Sequence, residues 1–180
     1  MADAVRELYS RRRYPALSHP ETHPGVIAAA ARCSGVTAPA LPDSCGLLEI
    51  GCASGHNLLP LAASFPESSF VGIDFSDTAI LRARRHAEAL GLDNVTFEHA
   101  DLKEWRPEAE DFDYLVAHGM LSWIDDRMKA ALLDLVRGAL APDGIACIGY
   151  NTLPGWALRK EAAAMVKALP GLGWHADAVF

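Results

Sequence analysis

From Cys45 onward, short apolar runs alternate with longer stretches in which apolar residues recur at helical spacing. The runs are LLEI (Leu47–Ile50), FVGI (Phe70–Ile73), VTFE (Val95–Glu98), FDYLVA (Phe112–Ala117) and IACIGY (Ile145–Tyr150). Apolar on both faces, they read as buried parallel strands. Between them, 56–64, Asp77–Leu90 and 125–140 read as helices; in the last, Met128, Leu132, Leu135, Val136 and Leu140 form one stripe. Pro142-Asp143-Gly144 predicts a turn into the final strand. Strand–helix alternation of this kind predicts an α/β fold, a doubly wound and mostly parallel sheet with right-handed crossovers.

The region before Cys45 is patterned differently. A short polar helix is expected up to about Tyr14, then a connector rich in proline and histidine (Pro15, His19, Pro20, His23, Pro24). An alanine-rich helix follows from about Gly25 to Cys33, stopped by Gly35, and Thr37 to Ser44 with Pro39 and Pro42 reads as a loop. The expected division is therefore 1–44, an N-terminal helical segment and connector, and 45–180, the sheet domain.

Composition narrows the function. At 180 residues the chain is long enough for one sizeable core. A net charge of −7 gives no general case for nucleic-acid binding, and the Arg11-Arg12-Arg13 cluster reads as a solvated face, with phosphate or membrane contact as the lesser alternative. Cys33, Cys45, Cys52 and Cys147 contain no Cys-x-x-Cys pair, so neither zinc nor redox chemistry is expected of them. His19 and His23 have metal-like spacing, but both precede prolines in a connector with no helix to align them, and no metal is expected. Without a membrane-length apolar run or a signal-peptide core, cytoplasmic residence is the default expectation.

The segment that carries chemistry is LLEIGCASGHN (Leu47–Asn57). A strand ends at Glu49-Ile50, small residues from Gly51 to Gly55 turn the chain, and a helix begins whose free N–H groups face any ligand there. Asp74 ends the next strand about twenty residues further on, where an acid can accept from both hydroxyls of a ribose, or simply cap the following helix. Asp101 follows the third strand, able to accept from an adenine amino group or to serve the turn. Glu49 puts a third carboxylate at the mouth of the first strand. In the dinucleotide fingerprint Gly-x-Gly-x-x-Gly, Ala53 and His56 stand where the second and third glycines belong. That favours an adenosyl cofactor without phosphates over NAD.

These strings resemble the class I S-adenosylmethionine-dependent methyltransferases: LLEIGCASGHN their first motif, FVGID their acidic loop, LAPDGIACI their entry to the fifth strand. The resemblance covers about Cys45 to Tyr150. A narrower likeness is to bacterial methyltransferases that carry a following methyltransferase regulatory domain, a group that includes protein lysine methyltransferases. It rests on HPETHPGVIAAAARCSGVTAP, GCASGHNLLPLAASFPESSFVGIDFS, HGMLSWI and GYNTLPGW. The resemblance implies a Rossmann-like domain that binds S-adenosylmethionine, and releases S-adenosylhomocysteine, through Glu49, Gly51, Cys52, Ala53, Gly55, Asn57, Asp74, Phe75, Asp101, Leu102 and His118. It implies a substrate-facing rim of His118, Ser122, Trp123, Tyr150, Asn151 and Trp156.

His118 reads either as a group that deprotonates the acceptor or as a buried histidine bonded to backbone. Tyr150 reads as an orienter of the acceptor or as core, and Trp123 and Trp156 as channel walls or as packing. The acceptor is a protein, with lysine leading by resemblance, or a small molecule; Asn-Pro-Pro-Tyr after the fourth strand and a Pro-Cys nucleophile are both missing, which removes the usual signatures of base methylation. A class I sheet ends with a helix and a β-hairpin, yet after a helix over 156–169 about eleven residues remain. The chain thus looks C-terminally incomplete: a fragment, a shortened form or a decayed gene. Alternatives to an enzyme are a non-catalytic module for cofactor or partner binding and, less favoured, an NAD-dependent oxidoreductase. A homodimer through an exposed sheet edge, or a missing downstream regulatory domain, is the expected assembly.

Overall fold

The computed structural model describes residues 16–39, 44–107 and 111–168; the expected helix up to Tyr14, the arginine cluster and the tail after 168 lie outside them. Five strands, β1 (Gly46–Ile50), β2 (Ser69–Asp74), β3 (Val95–His99), β4 (Phe112–Ala117) and β5 (Leu140–Ile148), form one sheet in the order β3-β2-β1-β4-β5. Every pairing is parallel. The helices are α1 (Pro24–Cys33), α2 (Leu58–Ser64), α3 (Asp77–Leu90), α4 (Asp126–Ala139) and α5 (Ala157–Ala168). The predicted α/β class and parallel sheet stand. The chain divides into two compact units, one ending at Gly149 and the other beginning at Tyr150, which carries α5.

Alternation along each strand divides the core in two. Leu47, Phe70, Tyr114 and Val116 join Ile27 and Ala28 of α1, Leu58 and Leu61 of α2 and Ile80 and Ala83 of α3 in one cluster. Leu48, Ile50, Ile73, Leu115 and Ala117 meet Leu132, Leu135 and Ala139 of α4 in the other. This is why the strands read as apolar on both faces. Helix starts follow local chemistry: the Ser76 side chain accepts from the Ala79 N–H at 3.3 Å, and Asp125 accepts from Met128 at 3.0 Å. His23 caps α1 by accepting the Gly25 N–H on its ring Nδ1 at 3.0 Å.

Two boundaries differ from expectation. The Pro142-Asp143-Gly144 turn sits inside a strand that already pairs at Leu140, opposite Phe112, and pairs again from Ile145, opposite Tyr114. The intervening residues break the register, an irregularity that an edge strand tolerates. That strand ends at Ile148, so Tyr150 falls outside it. In addition α2 begins at Leu58 rather than His56, because the glycine-rich turn extends through Asn57.

Gly72 of β2 shows how closely the first turn packs on the sheet. A Cβ there would lie 2.8 Å from Cys52 Sγ, 2.8 Å from Phe97 Cδ1 and 2.9 Å from Leu58 Cδ1. Gly72→Ala is therefore expected to destabilise the chain by about 2 kcal/mol through overpacking, read as a lower urea midpoint. An unchanged midpoint would mean that the turn and α2 shift freely.

Candidate active site

Strands to one side of β1 (β2, β3) are reached by crossovers on one face, and β4 to the other side leads into α4 on the opposite face. The reversal lies between β1 and β4, and a doubly wound sheet opens its ligand crevice there, at the carboxyl ends of the strands. Glu49 of β1 is in register with Val116 of β4, and His118 follows directly after β4.

Both residues carry a buried polar atom that no protein group meets. Glu49 is 5% exposed, and its Oε1 accepts from Asn57 Nδ2 at 2.9 Å, while Oε2 has no partner. Burial pushes the Glu49 carboxyl up to about 7; the Asn57 hydrogen bond opposes this and the charge of Asp74 adds to it. On His118 the unpartnered atom is Nδ1. Its Nε2 lies 3.2 Å from Glu21 Oε1. Burial and the neighbouring His19 hold His118 below the usual histidine range, against the opposing pull of Glu21. Buried unpartnered polar atoms are rare in native folds. These two belong to residues at the carboxyl ends of the neighbouring strands β1 and β4.

The turn after β1 is shaped by left-handed backbone at Gly51 (φ 78°), Ala53 (φ 48°) and Gly55 (φ 77°). At Gly55 a side chain is excluded twice over, since a Cβ would also lie 2.6 Å from Phe97 Cζ. Ala53 tolerates its conformation at a cost of about 1 kcal/mol. Its N–H donates to Asp74 Oδ2 at 2.9 Å, which pins the turn to the end of β2. Asp74 Oδ1 accepts from Ser76 at 2.8 Å, so Ser76 caps the helix and Asp74 organises the turn. Burial raises the Asp74 carboxyl, and the N–H groups of Ser76 and Ala53, with the His99 charge, pull it back.

The other expected cradle residues fall in different places. Asn57 is buried and central: besides Glu49 its Nδ2 reaches Thr22 Oγ1 at 3.0 Å, and its Oδ1 accepts from the His19 N–H at 2.8 Å. Asp101 accepts from the Lys103 N–H at 3.0 Å and lies 3.7 Å from Lys103 Nζ, so its carboxylate also serves the turn. Phe75 is half-buried, its carbonyl 2.9 Å from His99 Nε2. Cys52 and Leu102 are 5% and 6% exposed and have their side chains in the two cores, so only their backbones border the turns.

Of the expected rim, Ser122 and Trp123 follow His118 on a short 3-10 turn and are exposed. Tyr150, Asn151 and Trp156 belong to the second unit. There Tyr150 is 60% exposed, which removes the core alternative for it, and Asn151 and Trp156 are half-buried.

Three contributors escape the sequence reading. Thr22 is fully buried in the connector, its Oγ1 donating to the His19 carbonyl at 2.8 Å. His19 stacks on His118 with ring centroids 3.8 Å apart, and its Nδ1 is 3.5 Å from the same Glu21 oxygen that faces His118. The cluster that has metal-ligand chemistry is therefore His19, Glu21 and His118, not His19 with His23. The bonds that tie this connector to Asn57 span 35 or more residues, so no local spacing announces them.

The fold is a doubly wound α/β domain with carboxylates at or near the ends of its first three strands. Residues 47–144 match the family described as methyltransferase domain, and the chain belongs to that family. It is 36% identical over 158 residues to the uncharacterized protein RP789 of Rickettsia prowazekii, a match covering 88% of this chain and 28% of that protein. It is 30% identical to the trans-aconitate 2-methyltransferase of Azoarcus sp. over 76% of this chain and 56% of that enzyme. Among solved structures, PKMT2 from Rickettsia typhi in complex with AdoHcy superposes with a TM-score of 0.79 at 30% identity, covering 86% of this chain and 29% of that one. The chain thus spans under a third of the length of RP789 and PKMT2. Among the described residues no helix is long and apolar enough to cross a membrane.

Proposed function

We propose that this chain is the S-adenosylmethionine-binding part of a methyltransferase whose acceptor is an amine, with a protein lysine as the leading candidate. The observation that supports the reading is the pair of unpartnered buried atoms, Glu49 Oε2 near the end of β1 and His118 Nδ1 directly after β4. AdoHcy bound to PKMT2 supports the cofactor.

The residues fit that cofactor better than a dinucleotide. A buried carboxylate short of a partner suits a ligand with positive charge and hydroxyl donors, and opposes a pyrophosphate. The N–H of Ala53, at the position where a dinucleotide fold offers its backbone to phosphate, is already donated to Asp74. In this reading Asp74 holds the ribose hydroxyls, Glu49 with Asn57 balances the positive charge, and Asp101 lies toward the adenine.

When bound, S-adenosylmethionine supplies an electrophilic methyl group on a cationic sulfur. The chain supplies alignment, which contributes much of the acceleration of an in-line displacement. It also supplies a proton acceptor, because a lysine reaches a neutral site as ammonium. His118 suits that role, being held neutral by burial with Nδ1 unoccupied. The charged group beside it is the Glu21 carboxylate, which favours a cationic acceptor over an anion such as trans-aconitate.

Incubation of the chain with methyl-labelled S-adenosylmethionine and a lysine-rich polypeptide is expected to transfer label. Blocking the lysines by reductive dimethylation should abolish transfer. Label that enters the blocked polypeptide, or trans-aconitate instead, would move the acceptor away from amines.

A further inference from the structure

The connector before α1 is bound into the site rather than passing over it. Asn57 holds it at two points, the His19 N–H and Thr22 Oγ1, and Thr22 closes back on the His19 carbonyl. The intervening residues, Pro20 to Thr22, form a 3-10 turn that presents Glu21 to His118. A side chain that is 58% exposed thereby meets a histidine whose other ring nitrogen is buried without a partner.

We propose that Glu21 is a positioning residue for the acceptor-side base: by accepting the Nε2–H of His118 it fixes the tautomer that leaves the lone pair on Nδ1, the buried ring nitrogen without a protein partner. This rests on the reading of His118 given above. The physical reason is that a neutral imidazole has one donor and one acceptor nitrogen, chosen by the hydrogen bond that either makes. Here a carboxylate, which only accepts, faces Nε2, so the proton belongs on Nε2. Nδ1 is then the acceptor that a substrate ammonium or its water completes. His19 sharpens the choice: stacked at 3.8 Å, with Nδ1 near the same carboxylate oxygen, it disfavours a second positive charge on His118. The groups facing this cluster are His19 and Glu21 from the connector and, on β5, Cys147, whose thiol is raised by burial and by the Glu21 charge.

A metal ion held by the same three side chains is the competing use of the cluster. Metal on His118 Nε2 would place the proton on Nδ1, where no acceptor waits, whereas ligating histidines almost always donate their second N–H. The hydrogen-bonded arrangement leaves a lone pair there instead of a stranded donor.

The test is nitrogen-15 NMR of the histidine rings in the intact chain, above the titration of His118, with Glu21→Gln and Glu21→Asp alongside. The expected result is a protonated Nε2 and a bare Nδ1 in the wild type, a mixed tautomer and a lower His118 titration in Glu21→Gln, and recovery toward wild type in Glu21→Asp. All three should melt within a few degrees of one another, since Glu21 is largely exposed. A proton on Nδ1 in the wild type, or a tautomer unaffected by Glu21→Gln, would overturn the proposal. So would stoichiometric Zn²⁺ binding that removes the Nε2 proton. The tautomer reads Glu21 directly, whatever the chain methylates: a correct tautomer with full methyl transfer by His118→Ala would sink the role of His118, not the action of Glu21 upon it.

Discussion

Asp74→Asn is expected to weaken S-adenosylmethionine binding about 100-fold in a chain that still folds. The Asp74 carboxylate already accepts the Ala53 and Ser76 N–H groups, one on each oxygen. Each carboxylate oxygen has a further lone pair, and two such sites side by side match a ribose diol. The amide keeps the shape but turns one acceptor into a donor. One charge-assisted hydrogen bond to the ligand is lost, worth about 1.5–3 kcal/mol, and the amide NH₂ opposes a backbone N–H. Calorimetry against S-adenosylmethionine and S-adenosylhomocysteine measures the first effect, and thermal melting the second. Affinity within threefold of wild type in a folded Asp74→Asn chain would mean that Asp74 only braces the turn. Tight binding of NADH by the wild type would overturn the cofactor assignment itself.

That prediction draws on a residue visible in the sequence, and the reason it was visible is general. Strands buried on both faces leave an unbroken apolar signature, and the residue at which each run turns polar marks its carboxyl end. Asp74 ends its run in this way, and Glu49 and Asp101 lie within two residues of the ends of β1 and β3, so the three stand out together rather than singly. The same signature blurs at β5, where Pro142 to Gly144 read as a turn although the strand pairs on both sides of them. An edge strand has one neighbour and tolerates residues that a central strand excludes.

The site was legible only where it is local. Cys52 and Leu102 lie beside the cradle in sequence, yet their side chains turn into the cores, a matter of strand and turn geometry that the one-dimensional pattern does not carry. The connector failed in the opposite sense. Its prolines and histidines read as spacer, whereas Thr22 is fully buried and Glu21 and His19 sit on His118. What draws them in is Asn57, whose amide satisfies two segments and Glu49 at once. A buried amide making three hydrogen bonds fixes a tertiary arrangement more strictly than an apolar contact does, and it has no periodicity to betray it.

Glu49 makes the second large prediction, a pH dependence of unusual sign. Its carboxyl is raised from 4.5 to about 7 in the fold, chiefly by burial. Between those values the folded chain holds a proton that the unfolded chain has released, so the slope of unfolding free energy with pH is negative. The contribution of Glu49 is complete below about pH 4.5, declines as pH rises, and levels off above about 7 with about 3 kcal/mol lost. The raised carboxyl of Asp74 acts in the same direction. Glu49→Gln should therefore match the wild type in acid and exceed it by about 3 kcal/mol at pH 8, as measured by urea unfolding across that range. Parallel curves for the two chains would refute the assignment. Function draws on the same strain: a ligand that brings positive charge to Oε2 favours the carboxylate, so binding near pH 7 should release protons and tighten as pH rises from 5 to 8. Calorimetry in buffers of different ionisation enthalpy counts those protons, and Glu49→Gln should abolish the release. A cofactor affinity indifferent to pH in the wild type would leave the orphaned oxygen of Glu49 as a purely structural cost, and would shift the cationic end of the ligand elsewhere in the crevice.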